Sequence, residues 1–179
     1  MKKVLFVLLL SLFCLFKVDA QDMKFMGLDL NTKFETFCQK LKDKGLEVDV
    51  VKSASTYFKG TFAGHKNCKI IVSCTDITKV VKSVEVVFPY KYDEDARNDA
   101  WRDIFQQYRN KYGSYITIED GDNVLNFYRY DFKSSTVNIA LQRMGPNMLD
   151  DETTFSIVYE NLKVSNESST GAGKYSDDL

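Results

Sequence analysis

His65 is the only histidine in the 179 residues, and histidine is the side chain most often used for proton transfer at neutral pH. Its surroundings do not complete a mechanism. No serine stands in a strand-to-helix elbow, and a base at His65 acting on Cys68 would need a third group to orient it. With Cys38, Cys68 and Cys74, His65 makes a Cys3His set, the ligand count of a structural zinc site. Yet Cys68 shares its strand face with Ile70 and Val72, where cysteine behaves as a small core hydrophobe. The expectation is a turn histidine, with no catalytic residue, no metal and no other cofactor.

Cys68 and Cys74 fall on one expected strand, where their spacing at about 3.3 Å per residue separates them by roughly 20 Å. A disulfide needs Cα atoms within about 7 Å, so the two cannot pair with each other there. A possible disulfide therefore joins Cys38 with Cys68 or Cys74; the alternative is reduced, buried thiols.

Two acidic stretches, Glu119-Asp120-Gly121-Asp122-Asn123 and Asp150-Asp151-Glu152, could offer oxygen ligands to calcium. Asp-Gly between alternating runs is more simply a hairpin turn. Gly171-Ala172-Gly173-Lys174 lacks the Ser/Thr, glycine spacing and flanking strand of a phosphate loop.

Residues 1–20 read as a secretory signal: basic Met1-Lys2-Lys3, an apolar run of 13 residues from Val4 to Phe16, and Val18-Asp19-Ala20 at the cleavage position. A bilayer-spanning helix takes about 20 residues, so no membrane insertion is expected after signal cleavage. The product is an exported protein, periplasmic or extracellular. A lipoprotein reading would have to use Cys14, which follows the bulky Phe13. Without the leader, 21 basic and 24 acidic residues remain of the 24 and 25. That balance offers no surplus to neutralise phosphates, which argues against nucleic acid and against an anionic membrane surface.

The elements follow from periodicity. Phe34, Phe37, Cys38 and Leu41 recur at helical spacing after a capping-box pattern at Thr32 and Glu35, and Gly45 is the stop. Alternating strands follow at Phe58/Phe62, Cys68/Ile70/Val72 and Val84/Val86/Phe88, preceded by a short strand at Val48 to Val51. The second half repeats the order. Trp101, Ile104, Phe105, Tyr108 and Tyr112 mark a helix ending at Gly113; strands follow at Tyr115 to Ile118, Leu125/Phe127, Val137/Ile139/Leu141 and Phe155/Ile157/Tyr159.

Gly45 to Gly113, Cys68 to Val137 and Val84 to Phe155 are offset by 68, 69 and 71 residues. The fold class is therefore α+β: a tandem duplication of a helix plus a three- or four-stranded antiparallel unit. One continuous antiparallel sheet would carry both helices on one face. The single domain spans 21–163, with repeat one about 25–89 and repeat two about 93–163, and a polar, disordered tail at 164–179.

Phe25-Met26-Gly27-Leu28, Phe37 through Gly45, and Phe58-Lys59-Gly60-Thr61-Phe62-Ala63-Gly64 resemble segments of secreted Bacteroidetes proteins of uncharacterised activity. The helix-then-strands duplication is similar to the tandem fold of the β-lactamase inhibitor protein and of the outer-membrane assembly lipoprotein BamE. The motifs cover the first unit up to Pro89, and the second unit matches in layout. The resemblance carries over no functional residue.

With helices on one side, strand residues of the other parity should face solvent: Tyr57, Lys59, Lys69, Ile71, Glu85, Asn126, Tyr128, Tyr130, Asn138, Gln142 and Glu160. Tyrosines mixed with charges and amides have the composition of a recognition patch. Strand-favouring tyrosines on a solvated face would look the same. The expected function is a non-catalytic binding module whose open sheet face recognises an unknown protein or peptide, as a monomer or weak dimer. A structural envelope component of BamE-like type, and an unrecognised enzyme or metal-binding protein, are the alternatives.

Overall fold

A computed structural model of the chain describes residues 23–90, 93–122, 127–144 and 154–164. The expected signal at 1–20 and the acidic loop at 150–152 lie outside the described residues, as does the tail beyond Val164. The first half runs α1 (Phe34–Asp43), β1 (Glu47–Val51), β2 (Ser55–Phe62), β3 (His65–Cys74) and β4 (Val81–Val87). The second runs α2 (Glu94–Tyr112), a 3-10 turn (Gly113–Tyr115), β5 (Ile116–Asp122), β6 (Phe127–Lys133), β7 (Val137–Met144) and β8 (Thr154–Asn161).

All described strands form one antiparallel sheet in the order β1-β2-β3-β4-β8-β7-β6-β5. The α+β class with a single continuous sheet is as expected. The halves meet at β4 and β8, and β1 and β5 are the outer strands.

Register explains the core. One row across the sheet reads Phe58, Ile70, Val86, Ile157, Leu141 and Tyr130. The next reads Thr56, Val72, Val84, Tyr159, Ile139 and Phe132. Phe37 and Leu41 of α1 and Trp101, Ile104, Tyr108 and Tyr112 of α2 join the same buried cluster, so both helices cover this face. Burying an aliphatic side chain of this kind contributes about 1.5–3 kcal/mol. The opposite face is left to solvent.

Three local expectations are corrected. Thr32 does not cap α1; its hydroxyl donates to the Asp29 carbonyl, and the N-cap is Lys33 with no side-chain cap bond. The β3–β4 connection supplies the missing partner, since Phe34 N–H donates to the Lys79 carbonyl at 2.8 Å. Gly113 does not stop α2 in the left-handed region as Gly45 stops α1 at φ 88°: its φ is −58°, and it continues into the 3-10 turn. Asp120-Gly121 is no hairpin tip, because both pair within β5, opposite Arg129 and Tyr128. Val164, the first residue of the expected tail, is buried. No helix among the described residues is long and apolar enough to cross a membrane.

Candidate functional site

The open face holds Tyr57, Lys59, Lys69, Glu85, Gln142 and Glu160, as their parity requires, and Ile71 and Asn138 accompany them. Asn126 lies outside the described residues. Tyr128 and Tyr130 are corrected: they are on the helix face. Tyr130 continues the row of Leu141 and Ile157, with its ring 4.3 Å from Phe105 and 6.0 Å from Trp101 between centroids. Tyr128 stands opposite Arg143, which is itself opposite Phe155. The outward positions of β6 belong to Phe127, Arg129 and Asp131, which alternate with the tyrosines. Without those rings, Tyr57 is the one open-face residue left of the expected tyrosine set, and it is engaged: the Lys52 and Lys69 ammonium groups lie 5.0 and 4.8 Å from its ring centre.

A shallow concavity of about 280 Å³ on the open face is lined by Lys82, Arg129, Asn138, Gln142 and Glu160 among others. Arg129 donates to both oxygens of Asp131 at 2.9 and 3.1 Å, and Asn138 donates to Asp131 at 3.2 Å. Arg129, Asn138 and Asp131 thus satisfy one another on this surface.

His65 is the first residue of β3. Its Nδ1 is 2.9 Å from the Tyr90 hydroxyl, its Nε2 is 3.8 Å from Asp103, and its ring meets Phe88 edge-on. It ties the β2–β3 turn to the start of the second half. Cys38, Cys68 and Cys74 are free, buried thiols, so neither possible disulfide is present. Burial pushes the Cys68 thiol up to about 11, and Cys68 donates to the His65 carbonyl. Burial also raises the Cys38 and Cys74 thiols above their ordinary value. All three are held protonated, which disfavours nucleophilic or metal-ligating use. Among the described residues no cluster of three or more His, Cys, Asp and Glu is placed to hold a metal ion.

The surface that stands out is the outer edge. Every residue of β1 is exposed, and Val48, Val50 and Val51 are 40%, 43% and 70% accessible. Edge strands usually carry charges or prolines to discourage pairing; this one carries Glu47 and Asp49 but also presents three valines. The bulge at Asp49, between Val48 and Val50 in the pairing with β2, puts Val48 and Val51 on the helix side. There they line a groove of about 460 Å³ between β1 and α1, with Phe34 and Cys38 from the helix, Thr56 behind, and Lys42, Lys79 and Glu35 at its margins. Sequence reasoning missed this site. Its only signal was the apolar Val50-Val51 pair, which a two-residue alternation cannot place on a single buried face.

Comparison of the chain with protein-family profiles, with curated proteins and with solved structures gives no match.

Proposed function

We propose that this chain is an exported, non-catalytic binding module that takes an extended peptide segment onto the outer edge of β1. The observation that carries the reading is the exposed, valine-bearing edge running beside the groove under α1. In an antiparallel sheet, half of the outer strand's N–H and C=O groups point away from its neighbour. An added strand satisfies them, and its alternate side chains enter the flanking groove, the mode known as strand addition. Two lysines and one glutamate at the groove margin favour an acidic residue in that peptide. A second copy of this chain is a poorer occupant, since antiparallel pairing centred on Asp49 sets two carboxylates opposite each other.

The test uses labelled full-length mature chain and a blocked octapeptide of alternating valine and threonine carrying one aspartate, followed by backbone amide shifts. Shifts confined to Glu47–Val51 and the facing turn of α1, abolished by Val48→Lys with Val51→Lys, support the reading. Shifts at Tyr57, Glu85 and Gln142 instead would return the site to the open face, and no shift at millimolar peptide would end the proposal.

A further inference from the structure

A third cavity, of about 270 Å³, lies between the second helix and the Met26-Gly27 and Ala63 turns and shares no lining residue with the β1 groove. Two tight turns frame it: Met26-Gly27, with φ of 49° and 79°, and Ala63-Gly64, with φ of 49° and 86°. Left-handed backbone at Met26 and Ala63 is uncommon for residues other than glycine, Asn and Asp. Phe62 and three tyrosines, Tyr108, Tyr112 and Tyr159, supply its aromatic wall.

Tyr108 and Tyr159 bond hydroxyl to hydroxyl in the buried interior. That bond uses one of the two phenolic protons, and each hydroxyl can also accept. One phenolic proton is therefore left to be donated elsewhere. Among the ten lining residues the only charged ones are Lys24 and Lys111, both exposed, and none is acidic. Lys111 leans over the Tyr112 ring at 4.9 Å.

From this geometry we infer a binding site for a small aromatic monocarboxylate, its ring against Phe62, Met26 and Tyr112 and its carboxylate toward Lys111. The tyrosine pair offers a donor to an oxygen at the ligand's inner end. Concave sites that are mostly apolar with a few convergent polar groups are the usual form of small-molecule sites. The positive charge of Lys111 selects the anion over the neutral analogue.

The probe is 4-hydroxyphenylacetate, titrated calorimetrically into the mature full chain beside its neutral amide. The acid is expected to bind with a Kd on the order of 1 mM or tighter, and the amide at least tenfold more weakly. Lys111→Gln, at an exposed position, keeps the fold and lowers affinity for the acid by a similar factor. Phenylacetate, lacking the inner hydroxyl, should bind more weakly than the hydroxylated acid to the parent chain and as well as it to the Tyr108→Phe/Tyr159→Phe double variant. Equal binding of acid and amide, unchanged affinity in Lys111→Gln, or no heat at 10 mM acid would each overturn the inference. Because this site and the β1 edge share no residue, Lys111→Gln leaves peptide binding at β1 untouched, and the two readings fail separately.

Discussion

The Tyr108 hydroxyl on α2 bonds the Tyr159 hydroxyl on β8, fastening the second helix to the centre of the sheet from positions 51 residues apart. Removing either hydroxyl leaves the other, in a buried position, without its partner, at a cost of about 1–3 kcal/mol. Tyr108→Phe and Tyr159→Phe should each lower stability in urea unfolding by that amount. The double variant should cost less than the sum of the two, since replacing both partners leaves nothing unsatisfied. Additive losses would show that the hydroxyls do not depend on each other.

Alkaline pH should destabilise the fold in two overlapping windows. Burial raises the Cys68 thiol from 9.0 to about 11, and burial likewise raises the Tyr108 and Tyr159 phenols. A raised folded-state pKa means that the native chain holds its proton more tightly than the unfolded chain. The Cys68 contribution is thus fully present below pH 9 and is lost as pH climbs toward 11; that of the tyrosines declines above their ordinary value of 10. Urea midpoints should fall from pH 9 upward, and Cys68→Ala should flatten the first part of the fall. A flat midpoint between pH 9 and 11 would contradict the assignment.

The Arg129–Asp131 pair should respond asymmetrically to truncation. Asp131 is 3% exposed at its side chain and Arg129 35%. Arg129→Ala leaves a buried carboxylate with Asn138 as its remaining side-chain donor among the described residues, and leaving a buried acceptor short of its partner costs about 1–3 kcal/mol. Asp131→Ala leaves a guanidinium that water can reach, and should cost less than half as much. Chemical denaturation of the two variants decides it; equal losses would refute the argument from burial.

Gly60 sits where any Cβ would come within 2.2 Å of the Leu46 Cδ2. Leu46 is buried between the end of α1 and the sheet, so Gly60→Ala forces its side chain to turn and should cost about 1–3 kcal/mol. Pairing it with Leu46→Ala should recover part of that loss relative to additivity, read as a coupling in a double-mutant cycle. Without coupling, the close approach does not constrain the glycine.

The helices and most strands were legible because one face of each is buried and the other is not. Val84/Val86 and Val137/Ile139 each announce their inward side, since the polar Glu85 and Asn138 stand between. In β6 that signal fails: Phe127, Tyr128, Tyr130 and Phe132 put aromatic rings on both parities, and shifting the assignment by one residue reverses every side chain. What decides it is pairing with Leu141 and packing on Trp101 and Phe105, long-range facts that no local window contains. The β1 groove was hidden for a related reason. It exists only because a bulge at Asp49 turns Val48 and Val51 toward a helix that begins at Phe34.

The seam between β4 and β8 joins residues 81–87 to the last described strand, 154–161. A chain emerging vectorially from a ribosome or a translocation channel cannot close this sheet until β8 arrives. Until then β4 and β7 both lack the neighbour they share. β8 fills the middle and not the rim, so assembly waits for residues 154–161 and long-range pairing sets its pace. A version shortened before Thr154 would keep both helices and seven strands yet present two raw inner margins, an invitation to self-association.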